Sequence, residues 1–170
     1  ILFLAVDSFT RDQRRVVNRT VGELAGAALD EETESRLQVR ALLDPEEVSV
    51  WQSVRQLQFV TLSMHRDATA ALLGETTADG LPKRDDDADR LFAIVDRHFD
   101  RALARLDEVD ALGLTRPELF AARTVASDLE RVADHAERIA TVACRLDASV
   151  DDSLAADIRA VAGRARTVVE

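Results

Sequence analysis

Aromatic residues are scarce in this chain, which has six phenylalanines, one tryptophan and no tyrosine. Hydrophobic residues still make up 46% of the sequence, so its core must be built mainly from Ala, Val and Leu, the usual filling of packed helices. A single cysteine, Cys144, excludes an internal disulfide framework. The opening run ILFLAV lacks a basic leader and is too short to span a bilayer. We therefore expect a mainly helical protein with no membrane insertion and a cytoplasmic location.

Basic residues are also in short supply, with 22 against 32 acidic residues and a net charge of −10. Lys83 is the one lysine, and the remaining basic residues are arginines. Dense carboxylates with few lysines are typical of proteins from salt-loving microbes. Nucleic-acid phosphates and anionic membranes attract basic surfaces, so this balance argues against direct nucleic-acid binding by this segment. Cations are its natural partners.

Residues 1–48 have the pattern of a small α+β segment. The run at 1–6 predicts a buried strand, and Ser8 or Thr10 can cap a following helix. A short strand near 27–29 and an alternating strand at 37–41 complete a β-α-β-β arrangement, closed by Pro45.

Residues 49–147 have helical periodicity and well-defined helix ends. Two capping-box patterns occur, one at Ser49 with Gln52 and one at Thr115 with Glu118. We expect helices at about 49–74, 82–113 and 117–146, packed as an antiparallel three-helix bundle. Residues 148–170 predict one more helix, either the last member of this bundle or the first of a following unit.

The third helix of this unit carries an apolar stripe, predicted to face the core, with Cys144 as a small buried member. The stripe consists of Leu129, Val132, Ala133, Ala136, Ile139, Ala140 and Cys144. A rotation of about 100° per residue places Glu130 and Asp134 together on the flank of this stripe. Like charges at that spacing repel each other slightly, so the pair needs an explanation.

The second helix also carries an acidic pair four residues apart beside its apolar stripe, namely Asp85 and Asp89. Asp96 and Asp100 continue this line of acidic residues along the helix. If the two flanks face each other, Asp85, Asp89, Glu130 and Asp134 converge in one groove. Such a cluster must either take up protons or bind cations. Carboxylate oxygens suit Mg²⁺ and Ca²⁺, or Mn²⁺ and iron.

Ordinary salt bridges are the alternative explanation of these charges. Arg90 follows Asp89, Arg131 follows Glu130, and Arg138 lies four residues after Asp134. Ion pairs of this kind on a helix surface stabilise a protein very little.

The histidines do not point to an enzyme. A di-iron bundle needs Glu-x-x-His steps, and no glutamate stands three residues before His65, His98 or His135. His98 borders the apolar stripe of the second helix, which favours a hydrogen-bonded, partly buried histidine, and His135 could at most support a ligand. The sequence also lacks a nucleophile elbow, a phosphate-binding loop and zinc-ligand spacing.

Two segments resemble the motifs of the PhoU family, namely DLERVADHAERIA at 128–140 and RDDDADRLF at 84–92. Both occur in the family's order and at its separation, and the resemblance covers roughly residues 49–147. It implies a PhoU-like three-helix unit in which Asp85, Asp89, Glu130 and Asp134 bind a surface metal cluster, often of iron, or Mg²⁺, Mn²⁺ or zinc. Asp86 and Asp87 could also reach the ion, and Arg138 stands where the family commonly has Asn.

The resemblance also implies a function. PhoU proteins are non-enzymatic regulators of phosphate uptake that act between a phosphate ABC transporter and a signalling regulator, and they frequently dimerise. The N-terminal segment resembles that of archaeal PhoU-like proteins, in which an AbrB-type DNA-binding domain often comes first, so we expect a fragment of a haloarchaeal protein. The alternative is a transcriptional regulator whose DNA-binding domain is missing from this segment. A second three-helix unit, usual in the family, would lie beyond residue 170.

Overall fold

The computed structural model describes residues 2–4, 8–23, 27–41, 49–146 and 150–170. Most of these residues are helical, as the composition predicted. The described elements are β1 (Leu2–Leu4), α1 (Arg11–Glu23), β2 (Ala27–Glu32), β3 (Arg36–Ala41), α2 (Val50–Leu72), α3 (Leu81–Ala104), α4 (Leu106–Leu112), α5 (Arg116–Ala143) and α6 (Asp152–Val169).

The N-terminal segment has the predicted β-α-β-β order, with an antiparallel sheet in the strand order β1-β3-β2. Leu37 and Val39 on β3 are buried, as the alternating pattern predicted. Thr10 caps α1, because its Oγ1 accepts the Gln13 N–H at 3.2 Å while the Gln13 side chain accepts the Thr10 N–H at 2.9 Å. Pro45, which is predicted to close this segment, lies outside the described residues.

Helices α2, α3 and α5 form the bundle around one apolar core. The buried face of α5 is made largely of alanines: Ala122, Ala126, Ala133, Ala136 and Ala140. Small side chains let neighbouring backbones approach closely, so groups on the helix flanks also come near one another. A hydrogen bond also links α2 to α5, since Thr61 Oγ1 of α2 donates to the Leu129 carbonyl of α5 at 3.2 Å.

Cross-helix contacts fix the helix directions. Arg84, near the start of α3, donates to Asp67 Oδ2 near the end of α2 at 2.7 Å, so the two helices are joined side by side at these ends. At the other end of the chain, Gln58 Nε2 donates to the Val169 carbonyl at 2.6 Å and Arg159 pairs with Glu75. Helix α6 is therefore antiparallel to α2 and packs against it.

The predicted helix starts agree with the structure. Thr115 and Glu118 form the complete capping box of α5, with Pro117 in its first turn. Ser49 caps α2 by accepting the Gln52 N–H at 3.3 Å. Gly113, predicted to end a helix, has a φ of 64° at the C-cap of α4, a conformation that glycine adopts without strain.

Two sequence predictions are corrected by the fold. The second helix of the unit, expected to run unbroken to Gly113, is divided at Arg105 into α3 and α4, because α4 turns to bury Glu108 against α3. Cys144, predicted to lie in the core, is exposed. It is the residue after the last helical position of α5, where the neighbouring helices no longer cover the stripe.

Among the described helices, none combines the length and the apolar content needed to cross a bilayer.

Candidate metal site

Helices α3 and α5 lie side by side in opposite directions. Near one end of the pair, Phe99 of α3 and Phe120 of α5 have ring centroids 6.1 Å apart, and Arg123 Nε donates to Asp96 Oδ1 at 2.6 Å. Residue numbers thus rise on one helix as they fall on the other, which places residues 85–89 of α3 beside residues 130–137 of α5. The acidic flanks predicted from helical spacing therefore face each other.

Three of the four predicted ligands converge in this crevice. Asp89, Glu130 and Asp134 each offer a carboxylate oxygen, and these oxygens all lie within 4.8 Å of one another. Glu130 and Asp134 are partly buried, whereas Asp89 is exposed. This spacing is compatible with three oxygens around one small cation, which typically binds oxygen at about 2.0–2.6 Å.

Asp85, the fourth predicted ligand, lies next to this triad rather than within it. Its Oδ1 atom is buried and has no hydrogen-bond partner in the described part of the chain. A buried carboxylate oxygen without a donor is unfavourable, so such an oxygen is a natural ligand for a cation. Glu137 of α5 was not predicted as a site residue, yet it is close enough to Asp85 and Asp89 to raise the pKa of both.

The carboxylates of the crevice disfavour each other's ionisation. Burial, and then the charges of Asp89, Glu137, Asp134 and Asp86, raise the pKa of Asp85 to about 6. Burial and the nearby Asp134 also raise the pKa values of Asp89 and Glu130 above the usual range. The cause is an excess of negative charge in a partly dehydrated groove, which a bound cation would relieve.

The salt-bridge explanation does not fit the described residues. Arg90 pairs with Asp87 at 3.4 Å rather than with Asp89. Arg131 pairs with Asp128 at 3.6 Å rather than with Glu130. Within the ranges that the structure describes, no ion pair joins a basic side chain to the triad or to Asp85. Arg131 offsets part of the repulsion at Glu130 without forming an ion pair with it, and the pKa of Glu130 is still raised. The protein's own cations therefore compensate the crevice only in part.

The continuation of the acidic file along α3 is not part of the site. Asp96 forms its ion pair with Arg123, and the same guanidinium lies 5.2 Å above the ring of Phe99. Asp100, one turn further along α3, is exposed and lies beyond the triad. Four-residue spacing alone did not distinguish these two aspartates from the converging pair.

A second buried carboxylate is fully compensated by the protein. Glu108 accepts from Arg101 at 2.7 Å and lies 2.8 Å from Nδ1 of His98. His98 is completely buried, which confirms that it is a hydrogen-bonded histidine rather than an exposed ligand. His135 is exposed on α5, and His65 is buried near α6, 3.4 Å from Arg166. None of the three histidines is in the group that brings the triad together.

The architecture and the site define a helical bundle that carries acidic D/E-x-x-x-D steps on two facing helices. A family-model comparison matches residues 54–143 to the PhoU domain. The match covers more than half of the chain, so the protein belongs to the PhoU family, a regulatory family of phosphate homeostasis rather than a family of enzymes. Searches of curated proteins and of solved structures found no match.

Proposed function

We propose that this protein is a non-enzymatic regulator of phosphate uptake that holds a metal ion or cluster between α3 and α5. The observation that carries the proposal is the convergence of Asp89, Glu130 and Asp134, with oxygens within 4.8 Å of one another. Family membership supplies the biological context, and the absence of ion pairs at the triad among the described residues supplies the reason for a bound ion.

The donor set fits a hard cation. The ligand atoms that converge in the crevice are all carboxylate oxygens, which suit Mg²⁺, Mn²⁺ or iron. Structural zinc, in contrast, is usually bound by nitrogen and sulfur. Asp89, Glu130 and Asp134 would hold the ion, while Asp85 and Glu137 lie beside them as additional oxygen donors. The bound ion supplies positive charge that neutralises this groove.

The ligands come from two helices, so a bound cation also affects the structure. Asp89 belongs to α3, whereas Glu130 and Asp134 belong to α5, and an ion between them ties the two helices together. Neutralising the groove also changes the charge that this face presents to other proteins. We infer that the face acts through contacts with components of a phosphate ABC transporter or with a signalling regulator, at the cytoplasmic side of the membrane.

The acidic surface supports an origin in a salt-loving archaeon. With a net charge of −10, the folded chain repels itself at low ionic strength, and salt screens that repulsion. Thermal unfolding measured over a series of KCl concentrations should show a melting temperature that rises with salt. A melting temperature that falls as salt is added would contradict this origin.

Metal content tests the ligand assignment. The purified chain should retain Mn²⁺ or iron after gel filtration, measured by plasma mass spectrometry, and Glu130→Gln combined with Asp134→Asn should abolish that retention. Asp128→Asn together with Glu118→Gln is the matched control, since it removes the same charges from α5 outside the crevice. Equal metal content in the double variant and the wild type would defeat the assignment.

The regulatory role needs a cellular measurement. Replacing the native gene by the Glu130→Gln, Asp134→Asn variant should release phosphate uptake from repression when phosphate is abundant. Uptake of labelled phosphate measures this directly. Normal repression in a strain that lacks the gene altogether would contradict the proposed function, whatever the metal content of the protein.

A further inference from the structure

The outer side of α2, opposite the bundle core, carries a large exposed aromatic side chain. Phe59 is 75% exposed, more than any other aromatic residue that the structure describes. It follows the buried Leu57 by two residues, and a rotation of about 200° turns it to the other side of the helix. A single exposed apolar residue is normal on a protein surface, so Phe59 alone does not define a binding surface.

The neighbours of Phe59 along α2 extend this surface. Arg55, Phe59, Leu62 and Arg66 are separated by steps of four, three and four residues, which keep them on one side of the helix over about 16 Å. Arg55 and Arg66 are exposed, and Leu62 is partly buried. We call these four residues the α2 stripe. It has two apolar side chains at its centre and a cation at each end.

The cations of the α2 stripe are not neutralised by carboxylates of the described chain. Neither Arg55 nor Arg66 forms an ion pair or a side-chain hydrogen bond within the described residues. The only acidic residue of α2 is Asp67, and it accepts from Arg84 of α3 at 2.7 Å. The stripe is therefore a basic surface in a chain whose net charge is −10.

A third arginine lies beside the α2 stripe. Arg166 of α6 and Leu62 of the stripe both line a small cavity of about 60 Å³. The Arg166 guanidinium lies 3.4 Å from Nδ1 of His65, and no carboxylate pairs with it in the part of the chain that the structure describes. Burial lowers the pKa of His65, and the charge of Arg166 lowers it further. This side of the molecule is thus locally basic, whereas the crevice between α3 and α5 is acidic.

Spacing and charge together indicate which partner fits the α2 stripe. Steps of four and three residues are those by which one helix packs along another, with apolar side chains at the centre and charged ones at the edges. A helix with aliphatic residues in its centre and Asp or Glu at its edges matches the stripe in both respects. The acidic remainder of the chain repels such a helix, which directs it to this face.

Nucleic acids and anionic membranes fit the same surface less well. Both are extended polyanions, and both would also meet the acidic surface around a stripe that is only one helix wide. An acidic helix of about three turns is as long as the stripe and contacts little else.

We propose that the α2 stripe binds an acidic amphipathic helix of another protein, whose apolar side chains cover Phe59 and Leu62 and whose carboxylates pair with Arg55 and Arg66. This surface shares no residue with the metal site between α3 and α5. Helix binding therefore does not depend on a bound cation or on the function proposed above.

Fluorescence anisotropy with a synthetic helix tests the proposal on the full chain. The probe is a labelled peptide of about 20 residues, long enough to be helical, with leucines at alternating four- and three-residue steps and glutamates beside them. It should bind saturably, and more weakly as KCl is added. The same peptide with lysines in place of the glutamates should bind at least about tenfold more weakly. Equal binding of the two peptides, or no binding of the glutamate peptide, overturns the proposal.

Variants of the stripe locate the binding surface. Phe59→Ala should weaken binding of the glutamate peptide by about tenfold, because it removes the aromatic anchor. Arg55→Glu combined with Arg66→Glu should abolish that binding and create binding of the lysine peptide. Arg145→Glu combined with Arg164→Glu is the matched control, since it reverses two exposed arginines outside the stripe, and it should bind like the wild type. Stripe variants that bind like the wild type, or an equal loss in the control, overturn the proposal.

Two further titrations examine the other anionic partners. Vesicles of phosphatidylglycerol and a single-stranded DNA oligonucleotide should show no binding that Arg55→Glu with Arg66→Glu abolishes. Such binding, in a chain that does not bind the glutamate peptide, would assign the stripe to a lipid or to a nucleic acid and overturn the proposal. The stripe variants keep every residue of the metal site, so this failure would leave the metal measurements and the proposed function unaffected.

Discussion

Two carboxylate sites in this bundle differ in how their charge is balanced. Glu108 is almost completely buried, yet Arg101 and His98 surround it and both its oxygens have partners. The triad of Asp89, Glu130 and Asp134 is more exposed, but no basic side chain among the described residues pairs with it. A carboxylate compensated by the protein has a structural role. For the triad, which has no such ion pairs among the described residues, we propose that a bound cation supplies the balancing charge.

The largest effect should come from breaking the compensated site. Glu108→Ala leaves Arg101 and His98 facing an empty, buried position, which should lower the free energy of unfolding by about 3 kcal/mol. Denaturation in urea measures this loss. Asp107→Asn, the exposed neighbour on α4, is the control and should stay close to the wild type. A Glu108→Ala protein as stable as the wild type would show that the buried network does not hold α4 in place.

Adding a cation should stabilise the uncompensated site. At a free Mn²⁺ concentration about one hundred times its dissociation constant, binding to the native state raises the free energy of unfolding by about 2.7 kcal/mol. Asp134→Asn should remove most of this gain, whereas Asp128→Asn on the same helix should keep it. If Mn²⁺ stabilised both variants equally, the ion would be binding elsewhere on the acidic surface.

The pH dependence of the metal-free protein should separate the two sites further. The pKa of Asp85 is raised to about 6, so between about pH 4 and pH 6 the folded state binds more protons than the unfolded chain. Stability should therefore fall as pH rises through this window, by roughly 1 kcal/mol once the shift is discounted for solvent screening of this partly exposed group.

Asp85→Asn is the control for this effect, because an amide cannot titrate. Its unfolding free energy should lose less with rising pH than that of the wild type, and the two curves should differ most above pH 6. Guanidinium unfolding at a series of pH values, in buffers free of divalent cations, provides the curves. Parallel curves for the two proteins would mean that crowding in the groove has no energetic consequence.

The smallest effect concerns Asp96, which shares the acidic file of α3 but pairs with Arg123. Asp96→Asn should cost less than about 1 kcal/mol, because the ion pair is partly exposed. Its affinity for Mn²⁺, measured by titration calorimetry, should equal that of the wild type. A marked loss of affinity for Mn²⁺ would mean that Asp96 takes part in metal binding despite its ion pair. It would contradict the assignment of structural and metal-binding roles by the presence or absence of an ion pair.

Helical periodicity and capping patterns were sufficient to predict the bundle. Local signals such as the Thr115–Glu118 box and Gly113 mark helix ends whatever the tertiary structure. The break at Arg105 has no such signal, since no glycine or proline stands there. It depends on the burial of Glu108 against His98, a contact across ten residues that spacing alone does not reveal.

The site was partly predictable for the same reason. Asp89, Glu130 and Asp134 lie on flanks that helical rotation places correctly once α3 and α5 are neighbours. Glu137 follows Asp134 by three residues, a step that also keeps it on the same flank of α5, but the D/E-x-x-x-D pattern does not include it. The ion pair that removes Asp96 from the site involves Arg123 on another helix, which is a property of the folded structure.

The most direct test of the metal site is a crystal structure of the protein soaked in Mn²⁺, with anomalous diffraction recorded at a wavelength where manganese scatters strongly. We expect an anomalous peak between α3 and α5 within coordination distance of carboxylate oxygens from Asp89, Glu130 and Asp134. No peak in that crevice, together with Arg90 or Arg131 turned inward to pair with these carboxylates, would contradict it.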